Sequence, residues 1–279
     1  MKYEVRASEE RGYTKESWLE SFFTFSFAKH QSNKFMQFGP LRVLNEDYVE
    51  PSNGFSKHPH ANYEIFSYIL SGQLTHSDSM GQHHVCSKGS VQFTSAGSGI
   101  EHSEYNRNKR EVCHLLQIWV KPRILNSKPN YQIKEFSKSQ KLNQLCILIA
   151  PKEVVNPEVD KNLIAIDQDF YLLASILESG KQVSHSLHPG RQLYVHVPLS
   201  NQRSSIVEET KPKKSRKQTD DEVVQFAIKI SSGNKVIELR EGDGCFIHFD
   251  SPSSLQEESL IIEGVNPQTE FVIMDMCKQ

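Results

Sequence analysis

Short apolar runs rich in β-branched and aromatic residues recur along the chain, each closed by Gly, Pro, Ser or Asn. They include EIFSYIL at 64–70, SVQFTS at 90–95, HLLQIWV at 114–120, FYLLASIL at 170–177, QLYVHVPL at 192–199 and VVQFAIKI at 223–230. KVIEL at 235–239, CFIHF at 245–249, SLIIEG at 259–264 and EFVIMDM at 270–276 continue the series. Runs of this length and composition predict many short strands, and so a sandwich or barrel. Long amphipathic patterns are scarce; the best helix candidate spans Ser137 to Ile149.

A faint repeat divides the chain. YILSGQL followed by CSKGSVQF in the first half is echoed by YVHVPLSN followed by LREGDGCFIHF in the second, each a strand, a polar turn, and a glycine turn launching another strand. With 279 residues, two units of 1–130 and 131–279 are expected, separated near the proline-containing stretch Lys121 to Asn130. The 32 basic and 34 acidic residues balance, so no global field recruits nucleic acid or a membrane. The charged amino terminus lacks an apolar signal segment, and no run of about 18 apolar residues exists. A soluble cytoplasmic protein is expected, with the nucleus as an alternative in a eukaryote. Five scattered cysteines fit reduced thiols. Lys211, Lys213, Lys214, Arg216 and Lys217 form a basic run in a polar insertion, read as a solvated or disordered segment, with a nuclear-import or anionic-partner patch as the alternative.

Candidate chemistry centres on GFSKHPHANYEIFSYILSG at 54–72. In an extended segment His58 and His60 share one face, with Pro59 on the other. Proline cannot donate to a sheet ladder, which places the pair on an edge, at a bulge or at a strand end. A second pair follows in EHSEYN, where His102 and Glu104 also share a face. Three neutral imidazoles and one carboxylate suit Fe(II), Mn(II), Ni(II), Cu(II) or Zn(II). No cysteine lies within either pair, which argues against a closed structural zinc site. His76, His83 and His84 read as a solvated hairpin. His114 has the parity of Leu116 and Ile118 and is expected to face a core.

GFSKHPHANYEIFSYILSG, THSDSMG at 75–81 and GSVQFTSAGSGIEHSEYN at 89–106 resemble the pirin family of the cupin superfamily. WLESFFTFSFA and FGPLRVLNED look like its bacterial branch, whose members include enzymes that oxidise quercetin. The resemblance is strong over about residues 10–125 and mainly topological beyond. It implies an all-β fold of two tandem cupin-type barrels with few short helices, the first binding metal and the second without metal. It also implies His58, His60, His102 and Glu104 as ligands, with Glu64 as a supporting carboxylate that orients a histidine. Two departures stand out: Phe23 replaces a histidine frequent before TFSF, and Ser95 replaces the proline of the general second cupin motif.

The activity implied is a metal-dependent dioxygenase that cleaves flavonols such as quercetin with O2 and releases carbon monoxide. Fe(II) is the leading ion, with Mn, Ni, Cu or Zn as alternatives. Glu104, or failing it Glu64, is the expected proton acceptor, and Phe55, Phe66, Phe93 and Tyr105 the expected apolar mouth. The alternative implied is a non-enzymatic, metal-binding transcriptional cofactor or redox sensor with a protein partner. No basic surface interleaved with aromatics points to direct DNA binding.

Overall fold

The computed structural model describes residues 1–200, 225–249 and 257–278, so the basic run at 211–217 lies outside the described residues. Four antiparallel-dominated sheets make two barrels, each of one large and one small sheet. The first large sheet runs in the order Asn130–Glu135, Ser90–Ser95, Glu64–Ser71, Cys113–Val120, Leu41–Val49, Leu19–Phe23 and Gly12–Lys15. Its small partner runs Asn53–His60, Ile100–Asn106, Gln73–Asp78 and His83–Ser87. The second large sheet runs Lys2–Arg6, Gly244–His248, Arg191–His196, Gln268–Cys277, Phe170–Glu178, Cys146–Pro151 and Ile164–Ile166. Its small partner runs Gln182–Leu187, Glu258–Gly264, Ile228–Ser232 and Lys235–Leu239.

The two orders match strand for strand, which gives the faint repeat a structural meaning. The outer edges are exchanged. Lys2–Arg6 pairs with Gly244–His248 of the second barrel, and Asn130–Glu135 closes the first sheet against Ser90–Ser95. The division expected at 130/131 is therefore corrected: the first barrel ends after Glu135, and the extreme amino terminus belongs to the second. The helix expected over 137–149 is also shorter, covering Lys138–Lys141 behind a Ser137–Gln140 capping box. Asn143 takes a left-handed φ of 56° and stops it. The apolar run that follows becomes the strand Cys146–Pro151, paired with Phe170–Glu178.

Alternation along the strands sorts side chains into three layers. Phe66, Tyr68 and Leu70 face the second barrel and pack with residues such as Phe170, Tyr194, Phe246 and Met274, so the two large sheets lie back to back. Ile69, on the opposite face of the same strand, joins Leu74, Cys86 and Leu115 in the interior of the first barrel. Leu177, Val195, Ile230 and Ile262 fill the interior of the second. The inter-barrel layer also buries a charge network: Glu46 meets Arg11 Nη1 at 2.9 Å, His114 Nε2 at 2.9 Å and His196 Nε2 at 3.4 Å. All five cysteines are free thiols. Among the described residues, no helix is long and apolar enough to cross a membrane.

Candidate metal centre

Asn53–His60 is the edge strand of the small sheet, as Pro59 requires, and it pairs with Ile100–Asn106. In that register His58 stands opposite His102, and His60 opposite Ile100. A bulge between His102 and Glu104 shifts the ladder, while on the other side Glu104 faces His76 and His102 faces Asp78. Alternation turns His58, His60, His102 and Glu104 to the barrel side. Ligand atoms of His58, His60 and His102 lie within 4.8 Å of one another, and so do those of His76, His102 and Glu104. Among the described residues, both such clusters belong to the first barrel.

The imidazoles are prepared for an ion. His58 Nδ1 donates to the Ser56 carbonyl at 2.6 Å, which orients the ring with its Nε2 3.1 Å from His102 Nε2. Two nitrogens each about 2.1 Å from one ion are separated by about 3.0–3.4 Å, so this span fits shared coordination. Burial, and next the neighbouring His102 and His58, push the His60 imidazole down to about 4. Burial lowers His102 as well, and neutral rings are the form that binds metal. Glu104 is 1% exposed. Burial opposes its charge, but His102, His76 and hydrogen bonds from Ser67 and Gln117 outweigh that and hold its carboxyl below the usual range. Ser67 Oγ donates to Oε1 at 3.0 Å and Gln117 Nε2 to Oε2 at 2.9 Å. Each oxygen keeps a free lone pair. The donor set thus forms a candidate divalent-metal site.

Glu64 is placed elsewhere. It shares the face of Phe66 and Tyr68, which turns toward the second barrel, whereas Ser67 on the opposite face holds Glu104. Its Oε1 accepts from Ser95 Oγ at 2.9 Å, the residue that stands where cupins have proline. Burial pushes this carboxyl up to about 7. The expected role of orienting a histidine is corrected: strand parity points Glu64 away from the histidines. His76 is corrected in the other direction. It is fully buried, its Nε2 lies 2.9 Å from Asp78 Oδ2, and its ring stacks on Tyr131 at 4.7 Å. The signal was present, because His76 and Asp78 repeat the i, i+2 spacing of the other two pairs on a strand. His83 is exposed, as expected of a hairpin. His114 faces the inter-barrel layer, stacks on Tyr48 at 4.1 Å, and lines a separate cavity of about 490 Å³.

A cleft of about 510 Å³ opens on His58, His60 and Glu104, a volume in the range of small-molecule sites. Its apolar walls are Trp18, Phe23, Phe27, Phe55 and Trp119. Phe55 was expected there; Phe66 and Phe93 instead stack at 5.3 Å in the inter-barrel core, and Tyr105 lies beneath Arg107. Asp47 also lines the cleft and accepts from Ser21 Oγ; burial pushes its carboxyl up to about 7.

Two tandem barrels with a histidine cluster in the first define a cupin-type fold carrying a candidate metal site. A pirin family model matches residues 4–120, and a model described as the quercetinase C-terminal cupin domain matches 153–198. The chain is 36% identical over 197 residues to the quercetin 2,3-dioxygenase of Escherichia coli K12, covering 71% of this chain and 81% of that protein. It is 33% identical over 183 residues to a pirin-like protein of Caulobacter vibrioides, 66% of this chain and 76% of that one. The crystal structure of the bacterial pirin YhhW from Escherichia coli in complex with nickel(II) superposes with a TM-score of 0.78 at 27% identity, over 100% of both chains. The chain belongs to the pirin family.

Proposed function

We propose that the protein is a metal-dependent dioxygenase that cleaves flavonols such as quercetin with O2 and releases carbon monoxide. The observation that carries this reading is an aromatic-walled cleft lined by His58, His60 and Glu104, with His102 clustered with the two histidines on one side and with His76 and Glu104 on the other. The relative named quercetin 2,3-dioxygenase supports it. His58, His60, His102 and Glu104 hold the ion, with Fe(II) favoured and Mn, Ni, Cu or Zn tolerated by the same donors. When bound, the ion supplies Lewis acidity toward the enolic oxygen of the flavonol.

The chain's own groups do the remaining work. Trp18, Phe27, Phe55 and Trp119 stack against a flat ring system and exclude water. Glu104, held ionised by His102, His76 and the hydrogen bonds from Ser67 and Gln117, offers a free lone pair on each oxygen to the enolic proton. Ser67 and Gln117 fix where that acceptor sits. The test is reconstitution of the purified protein with each divalent ion, followed by assay of flavonol loss and carbon monoxide together. Stoichiometric carbon monoxide with at least one ion is expected. No turnover with any fully loaded ion would overturn the enzymatic reading in favour of the metal-binding regulator.

A further inference from the structure

Three residues that line the cleft each carry a buried polar atom with no hydrogen-bond partner among the described residues: Asn45 Oδ1, His30 Nε2 and Trp119 Nε1. Leaving such an atom unpaired costs about 1–3 kcal/mol, and a cleft that keeps several is complementary to something that satisfies them. Trp119 borders the metal end, its ring edge-on to His60 at 4.8 Å. Asn45 and His30 follow in turn along the large sheet. Across the large sheet Ser67, Gln117, Asn45 and Phe23 are consecutive partners. Ser67 and Gln117 hold Glu104, so Asn45 is one strand spacing, about 4.8 Å, beyond Gln117. His30 stacks on Phe23 at 6.3 Å, one strand further.

Both groups are fixed. Asn45 is 2% exposed on the central strand Leu41–Val49. His30 closes a tight turn whose backbone bonds with Phe27 are 3.0 and 2.9 Å. Its ring presses on Gly12, where a Cβ would fall 2.4 Å away. An ionised carboxylate on the ligand would be opposed by the ionised Glu104 in the same cleft. An uncharged phenol hydroxyl, which both donates and accepts, matches an amide and an imidazole. Resting on the flavonol reading above, we infer that Asn45 and His30 form a second polar subsite that binds hydroxyl groups on the pendant ring of the substrate and selects polyphenols carrying them.

Anaerobic titration of the nickel-loaded protein with quercetin, and with galangin, which has no hydroxyl on its pendant ring, tests this by binding without turnover. The wild-type protein is expected to prefer quercetin. Asn45→Leu and His30→Phe should each weaken quercetin about three- to tenfold, leave galangin unchanged, and retain full metal. His30→Phe keeps the stack on Phe23, so it decides the matter alone if Asn45→Leu does not fold. Unchanged quercetin affinity in a folded variant, or equal wild-type affinity for the two flavonols, overturns the subsite while the flavonol reading stands. If the loaded wild-type protein binds neither flavonol, the flavonol reading falls and takes the subsite with it.

Discussion

His102 faces His58 across an antiparallel ladder with their Nε2 atoms 3.1 Å apart. The Nδ1 bond to the Ser56 carbonyl holds the His58 ring with Nε2 turned to His102. Two strands therefore bring ligand atoms together before any ion arrives, and burial keeps His60 and His102 neutral at physiological pH.

Gln117 anchors the carboxylate of this site from the neighbouring sheet. Gln117→Leu keeps the volume and removes the donor to Glu104. Metal affinity should fall about 10- to 100-fold, measured by competition with a chelator, while the melting temperature of the metal-free protein changes little. An unchanged affinity would show that Glu104 needs no such support.

Glu64 has the opposite signature. Its folded carboxyl titrates at about 7, against about 4.3 in an unfolded chain. Between these values the folded chain holds a proton that the unfolded chain releases, so stability declines as pH rises through this window and levels off above it. Glu64→Gln keeps an acceptor for Ser95 and removes the titration. It should melt a few degrees higher than wild type at pH 8, differ little at pH 4, and bind metal normally. Asp47, raised in the same direction, retains part of the slope. Parallel melting curves across pH would refute this.

Glu46 ties the barrels together with Arg11, His114 and His196. Burial works against its charge, but Arg11 and the two histidines prevail and hold it well below the usual range. Its stabilising effect is therefore complete above the unfolded carboxylate pKa and is lost as pH falls below it. Glu46→Ala strands a buried guanidinium and should cost about 3–5 kcal/mol in denaturant unfolding at neutral pH. A loss under about 1 kcal/mol would mean that Arg11 finds another partner.

Strand content and the paired barrels were legible because apolar runs such as EIFSYIL and EFVIMDM are short, β-branched and closed by turn residues. The i, i+2 spacing of His58/His60 and His102/Glu104 was legible for the same reason, since parity on a strand is fixed. What parity alone left open was which face meets which neighbour. Glu64 follows His60 closely in sequence, yet it turns to the inter-barrel layer with Phe66 and Tyr68. His76 was hidden by its turn-rich surroundings, although Asp78 beside it completes a third pair. The exchange of Lys2–Arg6 and Asn130–Glu135 depends on long-range pairing that no local pattern records. In the second barrel, the strand matching Asn53–His60 is Gln182–Leu187, whose His185 is taken by Asp275 at 2.9 Å.

Bound metal per chain, determined after saturation and desalting, addresses the proposed centre most directly. Wild type and Glu64→Gln should each carry one ion, while His58→Ala, His102→Ala and Glu104→Gln lose most of it and still show a folded, β-rich circular dichroism spectrum. One ion per chain in folded His58→Ala and His102→Ala would contradict the site.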